Sequence, residues 1–239
     1  TIGKAIAAKA AAGEKADESW YRRALAIAFD KSMAPEVAAS SEALLGAYPS
    51  ATNWRDVLII YREGAKVDDQ TNLDVMRLMR ANGALTGERD YVEYAQTAIL
   101  GGFPGEAKGV LDEGIAKGAL QASTPAVKEM LDSVNSKVSS DKASLAGLEK
   151  ESAAARNGRA AMGTADAYLG YGEYAKAAAL YKLALEKGDV DADAANLRLG
   201  FALAKSGDRS GADAAFAAIR SAPRTQLAKY YTIWADSAA

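Results

Sequence analysis

One spacing constrains the fold of this chain more than any other feature: small and large apolar residues recur 35 positions apart. The matching pairs are Gly172 with Gly207, Ala177 with Ala212 and Tyr181 with Phe216. Twice that distance before the first set, Ala107 and Leu111 fall in the same register. A period of about 34–35 residues is the length of a helical hairpin, which buries its apolar face only by stacking on neighbouring hairpins. The register therefore predicts an all-α superhelical solenoid.

Helical periodicity covers nearly the whole chain, interrupted at intervals by Gly, Pro, Asn, Asp or Ser. We expect a leading helix near 3–12, about six hairpins and a closing helix at 224–236. The hairpins are predicted at 17–30/34–47, 52–64/70–82, 88–101/104–117, 124–138/141–156, 159–171/174–187 and 192–206/209–221. Asp69 and Asp141 are interpreted as helix N-caps. One continuous solenoid then consists of N-terminal hairpins (1–118), a divergent irregular hairpin (119–157) and C-terminal repeats with a capping helix (158–239).

Composition removes several classes of function. The chain has no Cys and no His, which excludes thiolate and imidazole catalysis and the usual zinc ligands. Its 29 Lys and Arg against 31 Asp and Glu give no basic footprint for nucleic acid. No apolar run reaches the length of a membrane span. We therefore expect no enzyme activity, no cofactor, no metal, no nucleic-acid binding and no membrane insertion.

Two motifs resemble ligand loops. Alternating carboxylates at 189–193 resemble the start of a calcium loop, but Ala194 and Gly200 occupy the places of its obligatory Gly and Glu. Residues 170–175 spell a G-x-G-x-x-A dinucleotide fingerprint, yet a predicted helix precedes them where the mechanism needs a strand. We interpret both as inter-helix turns.

Carboxylates and aromatic residues offer two further alternatives. Asp141, Glu149 and Glu151 could supply an acid–base pair, but their spacing does not make them converge, so a solvated helix face is the preferred interpretation. Six aromatic residues could form a stacking platform, namely Trp20, Trp54, Tyr61, Tyr91, Tyr168 and Tyr181. Their helical spacing favours the hairpin core, although the adjacent pairs 20–21 and 230–231 cannot all face inward.

The repeat anchors resemble the tetratricopeptide-repeat consensus. The matching positions are Trp54, Tyr61, Tyr168, Gly172, Tyr174, Ala177, Tyr181, Ala184, Leu199, Gly200, Gly207, Ala212, Phe216 and Pro223. The match is best over 158–223, weaker over 17–118 and poor over 119–157. The segments "ALLGAYPSATNWRDVLIIYREG" and "GFPGEAKGVLDEGIAKGAL" are also similar to bacterial periplasmic members, some of which accompany TonB-type systems. The resemblance implies a non-enzymatic protein-binding protein of the bacterial periplasm rather than the cytoplasm.

In that family the first helix of each hairpin lines a concave groove. Carried over to this chain, the geometry implies a partner-binding groove lined by Arg22, Arg55, Arg62, Arg89, Gln96, Arg159 and Asp166. Five arginines on one surface would suit carboxylates, either acidic side chains or a peptide C-terminus. The alternative is that these arginines form salt bridges with neighbouring hairpins.

The sequence leaves three functions open. The first is an adaptor that binds a protein or peptide segment in its groove, and the second is a structural subunit that stacks with copies of itself. The third is an enzyme, or a carrier of a small molecule or lipid, that uses the concavity as a pocket. The opening residues resemble the end of a preceding helix, so we expect that a leader or upstream repeats have been removed.

Overall fold

The computed structural model describes residues 2–237, and every regular element in that range is an α-helix. The thirteen helices are α1 (Ile2–Ala11), α2 (Glu18–Asp30), α3 (Ala34–Ala47), α4 (Ala51–Ala65), α5 (Asp69–Ala81), α6 (Gly87–Leu100), α7 (Pro104–Ala116), α8 (Pro125–Ala154), α9 (Arg159–Gly170), α10 (Tyr174–Lys187), α11 (Ala192–Lys205), α12 (Arg209–Ala217) and α13 (Arg224–Ser237). Helices that follow one another in the chain pack against one another. The predicted all-α solenoid is therefore confirmed.

Short polar side chains set where the helices begin. Ser50 accepts a hydrogen bond from the backbone N–H of Asn53 at 3.2 Å, and Asp68 accepts one from Thr71 at 2.7 Å. The cap of α5 is thus Asp68, one residue before the predicted Asp69. Gly172 follows α9 with a φ of 75°, a left-handed conformation that glycine adopts without strain.

The array contains five hairpins rather than six, because residues 125–154 form one helix of 30 residues. The hairpins are α2–α3, α4–α5, α6–α7, α9–α10 and α11–α12. The predicted hairpin 124–138/141–156 is wrong, and so is the N-cap at Asp141. That carboxylate lies inside α8 and accepts a hydrogen bond from the Tyr171 hydroxyl at 2.6 Å.

The serines of α8 explain why the helix continues. No Gly or Pro occurs between residues 126 and 146, so nothing there forces the backbone to leave the helix. Serine is a turn former, but Ser136 and Ser144 donate their hydroxyls to carbonyls three residues earlier, at 2.8 and 2.7 Å. Their polar groups are satisfied without a break in the helix.

The single helix α8 changes which helix of a hairpin faces the interior. From α3 onward the odd-numbered helices contact one another across an inner row: α7 packs on α9, α11 on α13, and side chains join α5 to α7 and α11. The even-numbered helices form an outer row, in which α2 is joined to α4 and α4 to α6. Before α8 the second helix of each hairpin is therefore internal. After α8 it is the first.

Helix α13 closes the array. It packs on α11 and α12, as a last repeat helix would, but also on α3 and α5 from the opposite end of the chain. The Tyr231 hydroxyl donates to the carbonyl of Asp74 at 2.7 Å, and Tyr61 donates to the carbonyl of Pro223 at 3.0 Å. Because α13 is covered from both sides, Tyr230 and Tyr231 are both buried, contrary to our expectation for adjacent aromatic residues.

None of the helices between residues 2 and 237 combines the length and the hydrophobicity that crossing a lipid bilayer would require.

Candidate functional site

The predicted groove residues lie at three separate places. Arg22 on α2 donates to Asn53 at 2.9 Å and to Asp56 at 2.6 Å. Four others line a depression of about 690 Å³ on the outer row, which we call the α4–α6 trough: Arg55, Arg62, Arg89 and Gln96. Arg159 and Asp166 line a depression of about 350 Å³ beside the start of α11. The expectation of one arginine-lined surface is wrong, since the single helix α8 places the first helices of the two halves in different rows.

The α4–α6 trough is electrically balanced. Its lining contains four cations and four carboxylates, namely Arg55, Arg62, Lys66 and Arg89 with Glu63, Asp69, Asp90 and Glu93. Arg55 is paired with Asp90 and Arg62 with Glu93, each across the step from α4 to α6. Most of these arginines therefore join neighbouring hairpins, which was our alternative interpretation, and the trough has no excess positive charge.

Asp166 belongs to a buried charged cluster that the sequence did not predict. We call it the central ion network, and it consists of Asp74, Arg77, Glu106, Asp166 and Arg198. Every member is at most 5% exposed, and the five residues come from four helices of the inner row, α5, α7, α9 and α11, which their paired side chains join. The network lies where the N-terminal and C-terminal halves of the array meet.

A fifth helix, α13, contacts the network without contributing a member, since the Tyr231 hydroxyl donates to the carbonyl of Asp74. The two cations and three carboxylates satisfy one another. Arg77 donates to both oxygens of Glu106 at 2.8 and 2.6 Å, and Arg198 donates to both oxygens of Asp166 at 2.9 and 3.0 Å. Asp74 lies between the two guanidinium groups, 2.7 Å from Arg77 and 2.9 Å from Arg198. Buried charges need such pairing, since an unpaired one loses its hydration without compensation.

Two tyrosine hydroxyls donate to the carboxylates, which outnumber the cations in this network. Tyr94 donates to Glu106 at 2.7 Å and Tyr181 donates to Asp166 at 2.6 Å. Burial, and next the neighbouring carboxylate, raise the pKa of each of these phenols well above its ordinary value. Burial works against ionisation of Glu106 as well, but the charge of Arg77 and the hydrogen bonds from Arg77 and Tyr94 together outweigh it, so the pKa of that carboxyl is lowered.

An open cleft of about 620 Å³ lies beside the network, and we call it the central cleft. Seven consecutive helices, α5 to α11, contribute to its lining. Four aromatic residues contribute to its lining, and we call them the aromatic wall: Tyr94, Tyr171, Tyr174 and Phe201. Because both halves of the chain border it, the shape of the cleft depends on how closely α7 approaches α9.

Two glycines allow that approach. A Cβ on Gly105 would lie 2.3 Å from a ring carbon of Tyr171, and a Cβ on Gly170 would lie 2.9 Å from the Cβ of Glu106. Both distances are shorter than van der Waals contact. A side chain at either position would therefore separate α7 from α9 and alter the cleft.

The central cleft carries excess positive charge. Its lining contains five cations and three carboxylates, a balance of +2 in a chain whose net charge is -2. These residues are Arg77, Arg80, Lys108, Lys142 and Lys205 with Glu106, Asp112 and Glu113. Arg80 is paired with Glu113 at 2.6 Å and Lys108 with Asp112 at 2.9 Å.

The other two lysines of the cleft lining, Lys142 and Lys205, have no carboxylate partner among residues 2–237. The ammonium of Lys205 lies 5.8 Å from the ring centre of Phe201 and 5.4 Å from that of Trp234. Partial burial, and next the positive charge of Arg80, lower the pKa of Lys205. Lys142 lies 5.5 Å from the ring centre of Tyr171. Aromatic faces stabilise both cations but leave their N–H groups without an acceptor anion.

The remaining motifs have structural roles. Helix α9, not a strand, precedes the G-x-G-x-x-A motif, as we predicted. Asp191 caps α11 by accepting from the N–H groups of Asp193 and Ala194 at 3.1 and 3.0 Å, which confirms the turn interpretation. Glu149 accepts a hydrogen bond from Tyr168, whereas Glu151 is exposed.

Most of the predicted core aromatic residues are buried, namely Trp54, Tyr61, Tyr91, Tyr168 and Tyr181, while Trp20 is 38% exposed. The central ion network left a weaker trace in the sequence. Asp74 and Arg77 are spaced i, i+3 within an apolar stretch of α5, and Arg198 interrupts an apolar run in α11. Charged residues at core positions were the signal of a buried ion pair.

A comparison with known protein families finds no family whose model matches this chain, and a comparison with curated proteins finds no relative.

Proposed function

We propose that the chain is a non-enzymatic interaction scaffold that binds a segment of a partner protein in the central cleft. The open cleft between α5 and α11 carries this proposal, because it is bordered by both halves of the array and is not filled by the protein's own side chains. Its volume lies within the range of about 300–1,000 Å³ that is usual for ligand sites. The α4–α6 trough is the weaker candidate, since its charges are already paired.

Two parts of this proposal rest on resemblance. The tetratricopeptide-like anchors favour a binding protein, because repeat arrays of this kind act through extended surfaces. The segments around Trp54 and Pro104 resemble periplasmic members, and we propose a location in the bacterial cell envelope on that basis. Whether the protein lies in the periplasm or in the cytoplasm, the proposed site is the central cleft rather than a concave groove lined by the first helix of each hairpin.

Filling the cleft tests the proposal. Gly109 on α7 lines the cleft, and a Cβ there would meet only the flexible end of Arg80, at 3.4 Å. Gly109→Trp is therefore expected to occupy the cleft without disturbing the core. Gly147→Trp on α8 is the matched control, since a Cβ at Gly147 would meet nothing within 4 Å.

The measurement is affinity capture from a cell-envelope fraction with the two variants and the parent protein side by side. We expect Gly109→Trp to lose partners that both the parent and Gly147→Trp retain. Circular dichroism and thermal melting establish that each variant is folded. Equal capture by all three proteins would show that the cleft is not the binding site.

A second function, self-association, is favoured by one observation. Four large apolar side chains near the start of the array are more than a third exposed, namely Trp20, Ile27, Phe29 and Met33. Clustered exposed apolar residues mark interaction surfaces. Light scattering over a concentration series tests this alternative, with Ile27→Lys as the variant expected to keep the protein monomeric.

A further inference from the structure

We infer that the central cleft recognises an acidic segment, in which carboxylate side chains bind Lys205 and Lys142 and apolar side chains pack on the aromatic wall between them. The inference rests on the proposed function and specifies the chemistry of the ligand. Three observations support it: the charge balance, the state of the two lysines and the nature of the wall.

The charge balance selects the sign of the ligand. Protein charges in the cleft sum to +2, whereas those of the α4–α6 trough sum to zero. An anionic ligand would neutralise the cleft, and a cationic one would meet uncompensated repulsion. The rest of the chain is negative overall, so the positive balance belongs to the cleft and not to the protein as a whole.

Lys205 is the residue that gains most from an anion. It lies at the C-terminal end of α11, and its exposed side chain is accessible from the cleft. Its ammonium is partly desolvated against Phe201 and Trp234 and is repelled by Arg80. A bound carboxylate would compensate both costs at once, as no carboxylate among residues 2–237 does.

Lys142 supplies a second contact from another element. It projects from α8 beside Tyr171 and lines the same cleft as Lys205. Tyr174 and Phe201 line the cleft as well, with their rings edge to face at 6.1 Å. Two ammonium groups with an aromatic surface suit a chain in which acidic and apolar side chains alternate. A small inorganic anion would use the charges and leave the aromatic surface exposed to water.

The probe is a labelled 12-residue peptide in which glutamate alternates with phenylalanine, and a second peptide has glutamine at every glutamate position. Fluorescence anisotropy measures binding to the full chain. We expect the glutamate peptide to bind at least tenfold more tightly than the glutamine peptide, with an affinity that falls as salt is added. Equal affinities, or no binding of the glutamate peptide, would overturn the inference.

Single substitutions locate the contact. Lys205→Gln is expected to weaken binding of the glutamate peptide about tenfold, since it removes a charge-assisted hydrogen bond. Lys142→Gln should have a smaller effect, because that ammonium lies beside one aromatic ring rather than two. Lys182→Gln on α10 is the matched control, an exposed lysine that does not line the cleft and whose loss should change nothing. An unchanged affinity of Lys205→Gln would overturn the assignment.

A spectroscopic measurement separates direct contact from a general effect of charge. Titration of lysine side chains by carbon-detected NMR should show the pKa of Lys205 rising when the glutamate peptide is bound. A single-stranded oligonucleotide serves as a competitor. If it displaces the peptide at equal concentration, the cleft binds polyanions in general and the inference is wrong.

The two levels of the proposal fail differently. If Gly109→Trp abolishes capture of natural partners while Lys205→Gln does not, the cleft is the binding site and the acidic chemistry is wrong. If Gly109→Trp leaves capture intact, the proposed function itself fails.

Discussion

Replacing Arg198 by methionine should destabilise the whole array, because this guanidinium joins three helices in the interior. It donates five hydrogen bonds, to Asp74, Asp166 and Gln70, and is 3% exposed. Methionine occupies a similar volume but makes none of these bonds. The central ion network would then contain one cation and three carboxylates instead of two and three.

The expected cost follows from what remains. Asp74 keeps Arg77 at 2.7 Å and Asp166 keeps the Tyr181 hydroxyl at 2.6 Å, so neither is fully isolated. Removing one partner of a buried ion pair costs about 3–5 kcal/mol, and we expect a value in that range. With a urea m-value of about 3 kcal/mol/M, the unfolding midpoint should fall by about 1–2 M.

The assay is urea unfolding followed by circular dichroism and by tryptophan fluorescence. Arg22→Met is the control, since that pair with Asp56 is about 40% exposed on both sides and should contribute less than about 1 kcal/mol. Asp166→Asn combined with Arg198→Met should recover part of the loss, because it removes a carboxylate left without its cation. If Arg198→Met costs no more than Arg22→Met, the network does not hold the two halves together.

Three further predictions concern packing, the long helix and pH. Gly170→Ala should destabilise the protein by about 1–3 kcal/mol, because the added methyl group pushes α9 away from Glu106. Gly163→Ala on the same helix meets no atom within 4 Å and should stabilise the protein by about 0.5–1 kcal/mol. Thermal melting measures both changes. Ser139→Pro should cost about 3 kcal/mol or more because it lies inside α8, while a hairpin connection there would tolerate it. Burial raises the pKa of Tyr94, Tyr181 and Tyr231. The contribution of these phenols to the free energy of unfolding is therefore complete below the ordinary phenol pKa of about 10 and is lost at higher pH. Free energies of unfolding measured at pH 8 and pH 11 should show the decrease.

The helices and most of the core followed from local chemistry. Caps and glycine stops depend on residues close together in the chain, and the 35-residue register depends on the spacing from one repeat to the next. Together they placed twelve of the thirteen helices within a few positions. The error at 139–141 has the same origin. A run of two serines and an aspartate has the composition of a turn, but Ser140 donates to the carbonyl of Lys137 within the helix and Asp141 accepts from the Tyr171 hydroxyl.

The candidate site depended on contacts between distant parts of the chain. Asp74 and Arg198 are 124 positions apart, and nothing in the sequence of either helix states that they meet. The arginine groove was predicted on the assumption that every hairpin presents the same helix to the interior. The sequence alone does not mark Lys205 as a site residue, because a lysine at the end of a helix is common. Its significance comes from the rings of Phe201 and Trp234 and from the lack of a carboxylate partner within residues 2–237, which only the packing reveals.

Helix α8 shifts the repeat pattern by half a repeat, because it is a single helix in a series of helix pairs. Adding one unpaired helix to a series of pairs exchanges the faces of every later repeat, while each repeat keeps its own consensus. Two hairpins with similar anchors, α4–α5 and α11–α12, can thus oppose each other, one offering its second helix and the other its first. An array built this way obtains complementary surfaces from a single kind of unit, and groove residues transferred from a regular repeat protein change sides at the shift.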